Sequence, residues 1–139
     1  DLNSCFFYWK TLAEENGYSC PVSLPRRYLV IVDGITGGEG EGPLAPDAVK
    51  SNVIVGGGNP VAVDAVCAWL IGFDPWKLRL LTGAAVKKEL PLFSGTLKEI
   101  RVHSATREWE GKLESLMKTE TLHFTPHFGW TGAVERDAS

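Results

Sequence analysis

Three carboxylates, Asp33, Glu39 and Glu41, share one stretch with five glycines between positions 34 and 42. Each glycine gives up more backbone freedom on folding than any other residue. A stretch this rich in them either needs backbone angles closed to other residues or lets something approach the main chain. Gly37, Gly38 and Gly40 are the positions where a ligand would make that approach. Side chains that offer only oxygen suit Mg²⁺, Ca²⁺ or Mn²⁺. Crowded carboxylates instead raise one another's pKa and equip one of them as an acid or base. Either chemistry makes Asp33, Glu39 and Glu41 the candidate catalytic residues and also the candidate metal ligands. A bare phosphate suits the stretch less well. No Gly-Lys-Ser/Thr follows, Pro43 stands where a dinucleotide motif would open a helix, and two glutamates repel an anion.

A second candidate follows at Gly56-Gly57-Gly58-Asn59, ahead of a helix start. Free N–H groups and the helix dipole favour an anion there, so Gly57, Gly58 and Asn59 are candidate ligand contacts. Asp64 joins the carboxylates if the two strands are neighbours whose loops rise at one edge of a sheet, where ligands of open α/β sheets sit. Plainer readings stand beside both. Asp33 and Asp64 cap backbone N–H groups, the glutamates are solvated, and the small residues let strand and helix pack closely. His123 and His127 bracket Pro126 and cannot share a helix face as zinc ligands would. No Gly-x-Ser-x-Gly is present.

The elements that would position these groups are legible from pattern. Apolar residues at Leu2, Cys5, Phe6, Trp9, Leu12 and Ala13 predict a helix over 2–15, ended by Asn16-Gly17. Tyr28 to Val32 reads as a buried strand that exits at Asp33 into a glycine loop, and Asn52 to Val55 as a second strand. Asn59 and Pro60 predict a capped helix to residue 71, apolar nearly all round and stopped by Gly72. Asp74-Pro75 predicts another helix to about 83. Leu97 to His103 alternates like a half-exposed strand, 108–118 is ambiguous, and 131–139 reads as a frayed tail. The expected fold is α/β, a small mixed sheet of about three strands (28–33, 52–56 and 97–103) with helices packed on it.

Length and composition narrow the class. The 139 residues fit one domain. A net charge of −3 without a basic stripe argues against nucleic acid, and no apolar run approaches the roughly 20 residues that span a bilayer. The start at Asp1, in the middle of a helical pattern, reads as the C-terminal part of a longer protein. Cys5, Cys20 and Cys67 lack metal spacing. Cys67 reads as a small core residue, pairing of Cys5 with Cys20 stays open, and a reduced, cytoplasmic protein is expected.

The stretches VDGITGGEGEGP (32–43) and GGGNPVAVDAVCAWLIGFDP (56–75), with DLN at the start and PHFGW at 126–130, resemble the C-terminal part of the domain-of-unknown-function 362 family. The similarity covers most of residues 1 to about 84. Members of that family resemble fusions with ferredoxin-type iron–sulfur modules, which implies an iron–sulfur domain or protein as a partner. This chain lacks a Cys-x₂-Cys-x₂-Cys run and holds no such cluster by itself. Two functional expectations follow. One is part of an enzyme site that binds a small anionic or carbonyl substrate, with Asp33, Glu39 and Glu41 or Asp64 aimed at one point. The other is a non-catalytic module that docks a redox partner or completes a larger domain together with the missing N-terminal part, its carboxylates dispersed and an apolar patch exposed.

Overall fold

The structure is a computed structural model that describes residues 2–17, 28–86 and 91–137. Cys20, Arg26 and Arg27, and the side chain of Cys5, lie outside the described residues, and with them the question of a Cys5–Cys20 bond. The α/β class stands. Helix α1 (Leu2–Glu15) leads to strands β1 (Val30–Glu41) and β2 (Ala45–Gly57), then helices α2 (Pro60–Leu70) and α3 (Arg79–Val86). Short strands β3 (Arg101–Val102) and β4 (Gly111–Lys112) and the one-turn helix α4 (Leu113–Leu116) complete it. Among the described residues the strands form two antiparallel pairs, β1 with β2 and β3 with β4.

The largest departure from the sequence reading is the glycine stretch. It is strand, not loop. β1 runs on from Asp33 to Glu41, turns through residues 42–44, and pairs with β2 from Glu41↔Ala45 down to Val30↔Gly57. Backbone pairing needs no side chains, and here the glycines are kept by what presses on them. A Cβ on Gly37 would sit 2.7 Å from the Phe124 ring, and one on Gly38 would sit 2.9 Å from Pro46. Gly40 takes φ +71°, which other residues rarely adopt.

The hairpin is interrupted once. Gly34 pairs with Val53 and Thr36 with Lys50, so Ile35 faces both Ser51 and Asn52. Asn52 absorbs the extra residue at φ +53°, an angle Asn tolerates better than most side chains. Across this bulge the exposure of β1 shifts by one. Val30, Val32 and Gly34 are the more buried positions before it, Gly37 and Glu39 after it.

Helix α2 begins as its residues predict. Asn59 Oδ1 accepts the Ala62 N–H at 3.0 Å and Pro60 holds the first turn. Its apolar surface is central to a core that includes Leu81, Leu92, Leu97, Ile100, Leu113 and Leu116. Gly72 ends it at φ +93°, with the His123 backbone where a side chain would go. After Asp74, whose carboxylate accepts the Trp76 N–H, the chain turns before α3 starts at Arg79, four residues later than the sequence suggests. Residues 97–99 form a 3-10 turn, so only Arg101–Val102 of the expected third strand is strand. Leu97 and Ile100 are three apart, the spacing that puts both on the buried side of such a turn.

The C-terminal segment is a strap. Leu122 N and Phe124 N donate to Leu70 O and Ile71 O at the end of α2. Residues 131–137 dock rather than fray: Val134 is buried, Asp74 N donates to Val134 O, and Arg136 N donates to Gly72 O. The Arg136 guanidinium donates to Met117 O, Thr119 O and Thr121 Oγ1. Burial pulls its pKa below the usual arginine value.

Trp69 is 1 % exposed and holds three elements at once. Its indole N–H donates to Leu116 O at 2.9 Å, and the Trp109 ring meets it edge-on at 6.3 Å. Trp69→Ala is expected to lower stability by about 3–5 kcal/mol, the range for truncating a buried aromatic. Trp69→Phe should lose less while leaving Leu116 O without its donor. Urea unfolding of the two variants measures both.

Candidate functional site

Each proposed carboxylate can now be placed. Asp33 is exposed, and its Oδ1 accepts the Ile35 N–H at 3.0 Å, holding the residue at which the ladder is interrupted. Glu39 faces the other way. Its Oε2 accepts the Thr125 N–H at 2.6 Å while Gly40 N donates to Thr125 O at 2.9 Å, so Glu39 ties the strap to the hairpin. Glu41 is exposed beside the turn. Asp33 and Glu39 stand six residues apart along extended chain, about 20 Å, and on opposite faces because of the bulge. Asp64 sits in the second turn of α2, where partial burial raises its carboxyl pKa.

The expected gathering of these four depended on the two strands ending at one edge. They are the two halves of one hairpin, so the end of β1 lies at the tip and the end of β2 at the base. Among the described residues no three His, Cys, Asp or Glu side chains gather as a metal set.

The glycines of the second candidate divide. A Cβ on Gly57 would sit 2.8 Å from Val63 Cγ2, so that glycine serves close packing of β2 on α2. Gly58 meets nothing nearer than Tyr28 O at 3.8 Å. Asn59 has both ends of its amide engaged, Oδ1 on Ala62 N and Nδ2 on Leu92 O.

A larger concavity than the glycine stretch offers lies elsewhere in part. A cleft of about 650 Å³ runs between residues 52–58, the end of β2 and the residue after it, and residues 100–106, with α2 as its floor and Trp109 at its side. It takes in Gly57, Gly58 and Asn59 from the sequence reading and adds Arg101, which that reading did not single out. The signal was present in the alternation from Ile100 to His103, which sets Arg101 and His103 on one exposed face. His103 Nδ1 lies 3.7 Å from Glu110 Oε1. A smaller cavity of about 190 Å³ separates Gly38–Gly40 from Ile71, Phe73 and Phe124 under the strap.

Cys67, half-buried on α2, is a free thiol whose pKa is pushed up to about 11, chiefly by burial and secondly by the Asp64 carboxylate. It is therefore a neutral thiol at physiological pH. Its reaction with iodoacetamide should climb toward a midpoint near pH 11, and Asp64→Asn should bring that midpoint down. Because the folded value exceeds the ordinary 9.0, Cys67 contributes stability below pH 9 that is lost as pH rises through about 11.

At the other end of the hairpin, Gly37→Val should drive Phe124 off β1 and cost about 1–3 kcal/mol by overpacking. Glu39→Gln keeps an acceptor for Thr125 N and should cost less than Glu39→Ala. Thermal melts of the three variants give the order.

Residues 8–69 match the family model described as Domain of unknown function (DUF362). The resemblance read from the sequence is thereby borne out over that span, which takes in the hairpin and nearly all of α2. No curated protein and no solved structure matches the chain.

Proposed function

We propose that this DUF362 segment is a non-catalytic docking module that completes a larger domain. The observation that carries the reading is the outer face of the β1–β2 hairpin. Leu29, Ile31 and Ile54 are 72, 66 and 68 % exposed. Ile31 pairs with Gly56 and Asp33 with Ile54, so Ile31 and Ile54 are diagonal neighbours on one surface, with Leu29 beyond them. Ile35 extends the patch past the bulge at 51 % exposure. β-branched residues on a strand are enriched where a second layer covers them, and contiguous exposed apolar surface marks an interaction site.

Two further observations point the same way. A two-stranded hairpin is marginal by itself, and among the described residues no third strand pairs with either of its outer edges, the strap bonding to β1 at Gly40. The carboxylates that a catalytic reading needs together are engaged separately, Asp33 in the bulge and Glu39 on the strap. The family resemblance implies the partner, the preceding part of the parent protein with an iron–sulfur domain as the redox element attached to it. No described helix is long and apolar enough to cross a membrane. A cytoplasmic setting accompanies the reading, supported by the free thiol of Cys67.

Co-expression with the preceding part of the parent protein tests this. The wild-type chain is expected to co-purify with it, and Ile31→Lys/Ile54→Lys to lose affinity by about ten-fold or more. As surface changes, the two lysines should shift the stability of the isolated chain by no more than about 0.5 kcal/mol each. Equal binding by the variant would reject the outer face as the interface. Saturable heat on titrating Mg²⁺, Mn²⁺ or Ca²⁺, lost in Glu39→Gln/Glu41→Gln, would instead restore the enzyme reading.

A further inference from the structure

The cleft between β2 and residues 100–106 has walls of an unusual kind. On one side every residue from Asn52 to Gly58 borders it, and on the other every residue from Ile100 to Thr106. Successive side chains of a strand point to opposite faces. Residues 52–57 of β2 and the two residues of β3 therefore turn a strand edge to the cleft, presenting backbone N–H and C=O groups, and residues 103–106 continue the second wall as irregular chain. β2 spends its other edge on β1, and β3 spends one edge on β4. The two small sheets thus border the same cleft with edges that pair with no other strand among the described residues. The floor is the apolar surface of α2, with Ala62, Val66 and Trp69.

The cleft carries a fixed positive charge at Arg101, with Glu110 3.7 Å from His103 just outside its lining. Arg101 and His103 are the ionisable side chains that line it, and no Asp or Glu lines it, among the described residues.

The geometry points to an extended polypeptide segment as the occupant, a strand inserted between β2 and β3 that joins the two pairs into one five-stranded sheet. Six residues of β2, Asn52 to Gly57, border the cleft, so the segment spans about 20 Å of extended chain. Main-chain hydrogen bonds to the two edges supply affinity, as in other strand additions. Side chains that alternate toward α2 are apolar, and an Asp or Glu on the segment answers Arg101 and His103. This inference stands on the edges and the charge of the cleft, independently of the outer face of the hairpin.

The test is selection from a displayed library of random peptides about nine residues long, enough to span the cleft, against the folded chain. Enriched peptides are expected to alternate apolar residues and to carry Asp or Glu. They should bind Arg101→Glu/His103→Glu about ten-fold more weakly or worse, at an unchanged melting temperature, since both side chains are exposed. Hydrogen exchange should slow at 52–58 and 100–106 when they bind. Failure to enrich any peptide on a well-folded chain would overturn the proposal. So would enriched peptides that keep full affinity for the variant and protect 29–35 instead, and that second outcome would leave the outer-face docking reading intact.

Discussion

A tryptophan buried near the end of an apolar helix must find an acceptor for its N–H, and much of this structure follows from how Trp69 finds one. The acceptor is Leu116 O, at the end of α4. That bond sets α2 against the 100–116 unit, while Trp109 closes on the ring from the side and spends its own N–H on Glu120 O. Because the unit is held by Trp69 at the middle of the core, it stands off from β2 instead of pairing with it. The cleft is the space left by that arrangement.

The second constraint is the strap. Its backbone pairs with the last carbonyls of α2, which a helix end leaves without internal partners. It then crosses to the hairpin, where Phe124 lies on Gly37 and Thr125 exchanges bonds with Glu39 and Gly40. The glycine-rich half of β1 is thus a bearing surface for an aromatic ring. The carboxylate nearest to it serves a backbone N–H.

These contacts bear on function by accounting for groups that otherwise invite a catalytic reading. Asp33 is engaged with a bulge, Glu39 with the strap, Asn59 with a helix start and with Leu92 O, and Gly57 with close packing. What these contacts leave over is a sheet face of exposed isoleucine and leucine, two strand edges that pair with no other strand among the described residues, and a cleft lined by Arg101 and His103. Those are features that suit polypeptide partners.

Local chemistry was readable in the sequence wherever one short stretch carried the whole reason. The Asn59-Pro60 start of α2, its stop at Gly72 and the Gly17 cap of α1 each depend on residues a few positions apart. So did the family resemblance, carried by motifs within 32–75. Spacing alone reads the glycine stretch as a loop, because the reason for its glycines lies almost 90 residues away in Phe124 and close by in Pro46, an approach that sequence spacing does not encode. The antiparallel pairing of β1 with β2 is hidden for the same reason: with the glycines read as a loop, nothing local shows that the chain reverses at residues 42–44. Strand direction then decided the candidate site, since it sends the ends of β1 and β2 to opposite ends of the hairpin. Residue types and caps are local properties. Which carboxylates meet, and which edges stay open, depends on contacts between distant parts of the chain, and only the tertiary structure decides those.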